Sequence, residues 1–129
     1  MLTIARGAGQ SIELGDPRSP ALRIRVDAVH VDSAVITLNL LRPGRIMARE
    51  EFAAGSSTPE LAGLRGSTHT ISRRTGQAVL YGDPRNPMAV VEIAEIMNDR
   101  VRVSVSCDHA LDVHRFEIAE QIRGDQFPS

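Results

Sequence analysis

All fifteen basic residues of this chain are arginines, and lysine is absent. An arginine guanidinium binds a phosphate or a base edge through two parallel hydrogen bonds, so this composition makes nucleic acid a candidate partner. The formal net charge of the chain is −1, which argues against broad electrostatic attraction to nucleic acid. A nucleic-acid site in this chain therefore needs a local cluster of arginines.

The histidines and the single cysteine do not form a pattern typical of a metal or catalytic site. His30, His69, His109 and His114 are scattered, without the close spacing that metal ligands show. Cys107 lies two residues before His109 on a predicted loop, where an incidental role is favoured over a nucleophile–base pair. The sequence thus predicts no metal site, no cofactor and no enzymatic activity, and a small hydrolase or metal enzyme is the least favoured hypothesis.

Arg6 and Arg18 recur as Arg73 and Arg85 because the chain contains an internal repeat. Residues 3–20 and 70–87 align at an offset of 67 with ten identities in eighteen positions. A repeat of about 60 residues buries too little surface to be stable comfortably alone, so we expect the two copies to share one core. We assign the first copy to residues 1–54, a linker to 55–68 and the second copy to 69–129.

Short alternating segments bounded by turn residues predict an all-β fold with a small C-terminal helix. The linker is expected to be flexible, with at most one or two helical turns beginning at Thr58. Arg23, Arg25 and Arg102 alternate with apolar residues and are predicted to form a solvated face. The helix is predicted over Phe116–Ile122, and Gly124 is expected to end it. The predicted strands are Leu2–Arg6, Ser11–Leu14, Leu22–Val26, Ala34–Leu38, Ile46–Arg49, Thr70–Arg74, Ala78–Tyr81, Met88–Ile96, Arg100–Ser106 and Leu111–Arg115.

Three features of the sequence predict a cytoplasmic protein with no membrane association. No apolar run approaches the roughly 20 residues that a membrane span needs. The N-terminus lacks a basic segment followed by a continuous apolar stretch, which an export signal would show. A lone cysteine excludes an internal disulfide and suits a reducing compartment.

Several segments resemble the carbon storage regulator family (CsrA/RsmA). They are Met1–Arg6, Gly9–Ile12 and Gly15–Asp16 in the first copy, with Val101–Val103, Val113–Arg115 and Glu117–Ile118 in the second. The resemblance implies an intertwined dimer of five-stranded units, which in this tandem chain becomes an intramolecular pseudo-dimer. It also implies binding to single-stranded GGA motifs in messenger RNA hairpin loops, and so control of translation.

In this family the RNA surface joins the first strand of one unit to the last strand of the other. The resemblance therefore implies two composite sites in this chain. One consists of Ile4 and Arg6 with Val113, His114 and Arg115. The other consists of Ile71, Arg73 and Arg74 with Met47, Ala48 and Arg49.

This chain departs from the family pattern at several places. Both copies carry a short insertion, Pro17–Pro20 and Pro84–Pro87. The first copy has Met47–Arg49 in place of the Val-His-Arg element and Gly7 in place of a second basic residue, and the usual proline loop reads Cys107–His109. These departures and the net charge leave a second hypothesis: a protein-interaction module with a decayed RNA surface, which binds another regulator such as an antagonist protein.

Overall fold

The computed structural model describes residues 2–42, 44–50, 61–63, 68–83, 85–107 and 112–126. The fold is mostly β-structure with a small helix near the C-terminus, as predicted. The elements are β1 (Leu2–Gly7), β2 (Ser11–Asp16), β3 (Ser19–Val29), β4 (Ala34–Leu40), β5 (Gly44–Ala48), β6 (Leu61–Gly63), β7 (Thr68–Arg73), β8 (Ala78–Asp83), β9 (Asn86–Ile96), β10 (Arg100–Cys107), β11 (Val113–Arg115) and α1 (Phe116–Gln126).

Two antiparallel sheets contain these strands. Sheet A has the order β1-β10-β9-β8-β5-β6, and sheet B has the order β11-β2-β3-β4-β7. The first strand of each copy lies on the other copy's central strands, because β1 pairs with β10 and β7 pairs with β4. The last strands are exchanged in the same way, because β5 pairs with β8 and β11 pairs with β2. Each sheet thus contains strands from both repeats.

The core is built from the apolar positions of the alternating strands. Every second residue of a strand points to the same face, so segments such as Leu22–Val26 turn their aliphatic side chains inward and their arginines outward. The buried cluster draws Ile, Val, Leu and Ala side chains from both sheets, and Tyr81 is the aromatic residue among its described members. Burial of these side chains joins the two repeats in one core.

A β-bulge in each repeat explains why the Pro-Arg-x-Pro insertions do not end the sheet. The pairing shifts register at Gly15 and at Gly82, where φ is 107° and 96°. A Cβ at Gly15 would lie 2.8 Å from the Ala21 nitrogen, so glycine is required there. We predicted that this strand begins at Leu22, after the insertion, but β3 begins at Ser19. The bulge accommodates the proline at the start of the strand.

Other boundaries differ from the sequence-based expectation in smaller ways. The fifth strand runs over Gly44–Ala48 rather than Ile46–Arg49, and part of the predicted linker forms β6 on its edge. The helix continues past Gly124 to Gln126. Thr58, Asp108, His109 and Leu111 lie outside the described residues. In the described part of the chain, no helix has the length and apolar character needed to cross a membrane.

Candidate nucleic-acid interface

The strand registers fix which residues of the two repeats are structurally equivalent. Val113 pairs with Leu14, and Ile46 pairs with Tyr81. Leu14 and Tyr81 are themselves 67 residues apart, so the offset of the N-terminal repeat also holds at the last strand. The counterparts of Val113, His114 and Arg115 are therefore Ile46, Met47 and Ala48. The predicted counterparts, Met47, Ala48 and Arg49, were therefore wrong by one residue toward the C-terminus. Ala48 occupies the position in the first copy that Arg115 occupies in the second.

Arg6 connects the edge of sheet A to the start of α1. Its side chain is only 7% exposed, and its Nη1 donates to both carboxylate oxygens of Glu117 at 3.0 Å. Its Nε donates to the Ala5 carbonyl at 2.8 Å. The ion pair joins β1 of the first repeat to the segment that follows β11 of the second. We call the surface formed by Arg6, Gln10, Arg100, Arg115 and Glu117 the first corner.

The second corner, formed by Arg73, Arg74, Gln77, Ala48 and Glu50, repeats this arrangement 67 residues away. Arg73 Nη1 donates to the two Glu50 carboxylate oxygens at 2.6 and 2.7 Å. Its Nε donates to the preceding carbonyl at 2.8 Å, as Arg6 does. The two glutamates were not predicted from the sequence, although their spacing of 67 residues was a signal that could have identified them.

Both glutamates have lowered pKa values. The hydrogen bond from Arg6 is the main cause of the lowered pKa of Glu117. Burial raises the pKa of Glu50, but the hydrogen bond and charge of Arg73 outweigh it and the net shift is downward. The carboxylates are therefore ionised at neutral pH and neutralise the two buried guanidinium groups. Arg6 and Arg73, both predicted to contact RNA, are engaged in internal ion pairs in this structure.

An open groove of about 650 Å³ lies at the first corner. The exposed Arg115 side chain has no hydrogen-bond or ion-pair partner among the described residues. Arg100 lies beside it, with its Nε 3.4 Å from Asp99. The groove thus offers guanidinium donors to a phosphate or a base edge. Its lining residues are Ala5, Arg6, Gly7, Ala8, Gln10, Asp99, Arg100 and Arg115.

The second corner has a different distribution of arginines. Ala48, the counterpart of Arg115, is buried. Arg49 is held by the Gly76 carbonyl at 2.7 Å and by Glu92 at 3.0 Å. Arg74 is exposed and its side chain has no described partner, whereas the first corner has Gly7 at that position. The two corners therefore present different surfaces to a ligand.

The other residues predicted for the interface are buried or half-buried. Ile4 and Met47 are buried at 5% and 7% exposure. Ile71, Val113 and His114 are half-buried. Ile4 pairs with Val103 within sheet A and belongs to the core, so it positions β1 rather than offering a contact surface.

A buried cluster holds α1, and with it β11, against sheet B. Glu13 is 1% exposed and accepts hydrogen bonds from Arg23 Nη2 and Arg123 Nη1, each at 2.8 Å. The Phe116 ring lies 4.7 Å from the Arg23 guanidinium carbon and 5.9 Å from that of Arg123. These charge-assisted and cation–π contacts fix the start of the helix, and therefore the adjacent Arg115. No pattern in the sequence predicted this cluster.

No three metal-ligating side chains gather at one place in the described part of the chain. Comparison with known proteins found no matching family model, no matching curated protein and no matching solved structure. The function is therefore inferred from the geometry of the first corner and from the residues that form it.

Proposed function

We propose that the chain is a non-catalytic, cytoplasmic RNA-binding regulator of translation of the carbon storage regulator kind. In this proposal the two repeats act as an intertwined pseudo-dimer, and the first corner recognises a GGA motif in a messenger RNA hairpin loop. The exchange of first and last strands between the repeats supports the proposal, because it brings Arg6 of β1 beside the segment that contains Arg115.

The observation that carries the proposal is the guanidinium of Arg115, which lies in an open groove, makes no hydrogen bond or ion pair with a described residue, and interacts with Glu117 only through its charge. Exposed arginines on other parts of the sheets, such as Arg25 and Arg102, have carboxylate partners within 3.0 Å. A guanidinium without such a partner can donate two hydrogen bonds to the O6 and N7 atoms of guanine or stack on an unpaired base. Single-stranded loops present both of these features to a protein.

Fluorescence anisotropy with a labelled GGA-loop hairpin, and with a scrambled loop as control, tests the proposal. Arg115→Ala is expected to weaken binding about 5- to 150-fold, the range that a lost base contact of about 1–3 kcal/mol gives. Arg49→Ala is the matched control, because Arg49 is already bonded to Gly76 and Glu92. Equal losses in the two variants, or equal affinity for the scrambled loop, contradict the proposal.

A second candidate function is a protein-interaction module without RNA affinity. The buried Ala48 at the place of Arg115 favours it, because the second corner has no guanidinium at that place. Under this hypothesis the wild-type chain does not bind the hairpin even at low salt, where electrostatic attraction is strongest. The same titration, performed at low ionic strength, therefore distinguishes the two hypotheses.

A further inference from the structure

An exposed carboxylate lies among the arginines of the groove at the first corner. Asp99 lines this groove together with Arg100 and Arg115, and 76% of its side chain is accessible. Arg6 also lines the groove, but its guanidinium is buried and paired with Glu117. A carboxylate repels a phosphate, so attraction of an RNA backbone does not explain an aspartate at this place.

The turn between β9 and β10 contains Asp99 but does not use its carboxylate. The turn is closed by the Met97 amide, which donates to the Arg100 carbonyl at 2.8 Å. Turn aspartates commonly accept a backbone N–H group two residues later, as Asp16 and Asp83 do in this chain. In the described part of the chain, the Asp99 carboxylate accepts a bond only from Arg100, whose Nε lies 3.4 Å away.

This single contact leaves the carboxylate accessible to a ligand. The Arg100 side chain is itself 55% exposed, and a long ion pair between two exposed side chains is weak. A carboxylate has two oxygens with about four acceptor positions, so most of the acceptor capacity of Asp99 remains unused. Asp99 can therefore accept two N–H groups from a bound molecule.

The second corner retains the aspartate and lacks the cations around it. The equivalent residues at the offset of 67 are Asp32 for Asp99, Ser33 for Arg100 and Ala48 for Arg115. An exposed acceptor beside exposed guanidinium groups is thus a property of the first corner and does not follow from the shared fold.

Gly7 adds a further difference between the two corners. It lines the groove, and a Cβ at its position would lie 3.4 Å from the Asp99 carbonyl oxygen and 3.5 Å from Gln10 Oε1. A longer side chain at this position would crowd the turn that contains Asp99. The second corner has Arg74 there, so the glycine keeps the first corner open beside the carboxylate.

A carboxylate and a guanidinium in one groove match guanine better than the other bases. The Hoogsteen edge of guanine presents the acceptors O6 and N7, which an arginine binds through two hydrogen bonds. Its Watson–Crick edge presents the N1–H and N2–H donors, which a carboxylate accepts, and both edges are accessible when the base is unpaired. Adenine and cytosine present an unprotonated ring nitrogen on the Watson–Crick edge, which a carboxylate repels.

We propose that Asp99 is a specificity-determining residue of the first corner, which accepts the N1–H and N2–H groups of an unpaired guanine whose O6 and N7 bind Arg115. The groove volume of about 650 Å³ lies within the roughly 300–1,000 Å³ of ligand sites and is sufficient for one base with its sugar. The inference rests on the proposed function, because the guanine belongs to the RNA loop bound at the same corner.

Hairpins with single-atom-group changes in the loop guanines test this assignment. Inosine lacks the N2 amino group, and 7-deazaguanosine lacks the N7 acceptor. Each is introduced at one loop guanine at a time, and binding to the full chain is measured by fluorescence anisotropy. At one of these guanines, either change is expected to weaken binding to the wild type about tenfold, the effect of one lost hydrogen bond to a charged group.

Two variants assign each edge of the base to one side chain. Asp99→Ala is expected to bind the guanosine and inosine hairpins equally and still to discriminate against 7-deazaguanosine. Arg115→Ala is expected to show the opposite pattern. Discrimination retained against one of the two analogues shows that the variant is folded. No described residue other than glycine has a positive φ, so alanine fits the turn without backbone strain.

Asp32→Ala is the matched control, because Asp32 occupies the same place in the turn between β3 and β4 and is also exposed. It is expected to retain the wild-type response to both analogues. An inosine penalty that persists in Asp99→Ala, or no inosine penalty in the wild type, overturns the inference. In either case a preference of the wild type for GGA over the scrambled loop leaves the proposed function standing. Equal binding of the GGA and scrambled loops overturns the proposed function and the inference with it.

Discussion

Glu117→Gln tests whether the ion pair at the first corner joins the two repeats. The substitution keeps the size of the side chain and removes its charge. The Arg6 side chain is 7% exposed, so its guanidinium remains largely buried and loses its charged partner. Because the pair links β1 to the segment after β11, we expect the variant to be less stable as a whole.

The exposures of the two partners set the magnitude of this loss. Breaking a fully buried ion pair costs about 3–5 kcal/mol, whereas an exposed pair contributes about 0–1 kcal/mol. Glu117 is 55% exposed, so water replaces part of what it provides, and a glutamine can still accept one hydrogen bond. We therefore expect a loss of about 1–2 kcal/mol in the free energy of unfolding.

Urea denaturation of the wild type and two variants measures the effect. Glu95→Gln is the control, because Glu95 lies 3.0 Å from Arg102 and both side chains are 53% exposed. The two pairs have the same length and differ in the burial of the arginine. The control is expected to change stability by less than about 0.5 kcal/mol. Equal losses in Glu117→Gln and Glu95→Gln would refute the argument from burial.

Three further predictions concern acid, salt and stoichiometry. The pKa values of Asp27, Glu50 and Glu117 are lowered in the fold. The contribution of these carboxylates to the free energy of unfolding is therefore fully present above about pH 4.5 and is lost as the pH falls through the lowered pKa values. A melting temperature that stays flat from pH 7 to pH 3 in thermal scans contradicts this. With Arg100 and Arg115 as the exposed cations of the first corner, log affinity for the hairpin is expected to fall with log salt at a slope of roughly −1.5. A much steeper slope in anisotropy titrations, without GGA preference, indicates nonspecific adhesion. Because Ala48 replaces the arginine at the second corner, we expect calorimetry to give one tight hairpin site per chain, and two equal sites contradict the ranking of the corners.

The repeat made much of the fold predictable. Strand alternation and turn residues located the strands of both copies. Arg6 and Arg115 were predicted as site residues from the resemblance of their segments to a known family. The sequence pattern did not predict that Arg6 is buried against Glu117. Alternation indicates which face of a strand a residue occupies, but not which side chain from another element packs against it. The one-residue error at Met47–Arg49 arose from matching side-chain types. The constant offset of 67 would have identified Ala48 as the counterpart of Arg115.

The packing of α1 on sheet B was missed for a different physical reason. Arg23 and Arg25 alternate with aliphatic residues, which is also the pattern of a solvated strand face. α1 covers part of that face, and Arg123 of α1 donates to Glu13 of β2, 110 residues away along the chain. A contact at such a separation leaves no local trace in the sequence of the strand.

The fusion of two repeats in one chain explains how these differences can coexist with a common fold. In a dimer of identical chains, every substitution appears at both corners, so a change that removes one ligand contact removes two. Here the structural pairs Arg6–Glu117 and Arg73–Glu50 are kept in both repeats. The exposed positions differ. Arg115 of the second repeat corresponds to Ala48 of the first, and Arg25 of the first repeat corresponds to Glu92 of the second. The ion pairs that join the sheets are thus the same in both repeats, whereas the exposed positions around them differ.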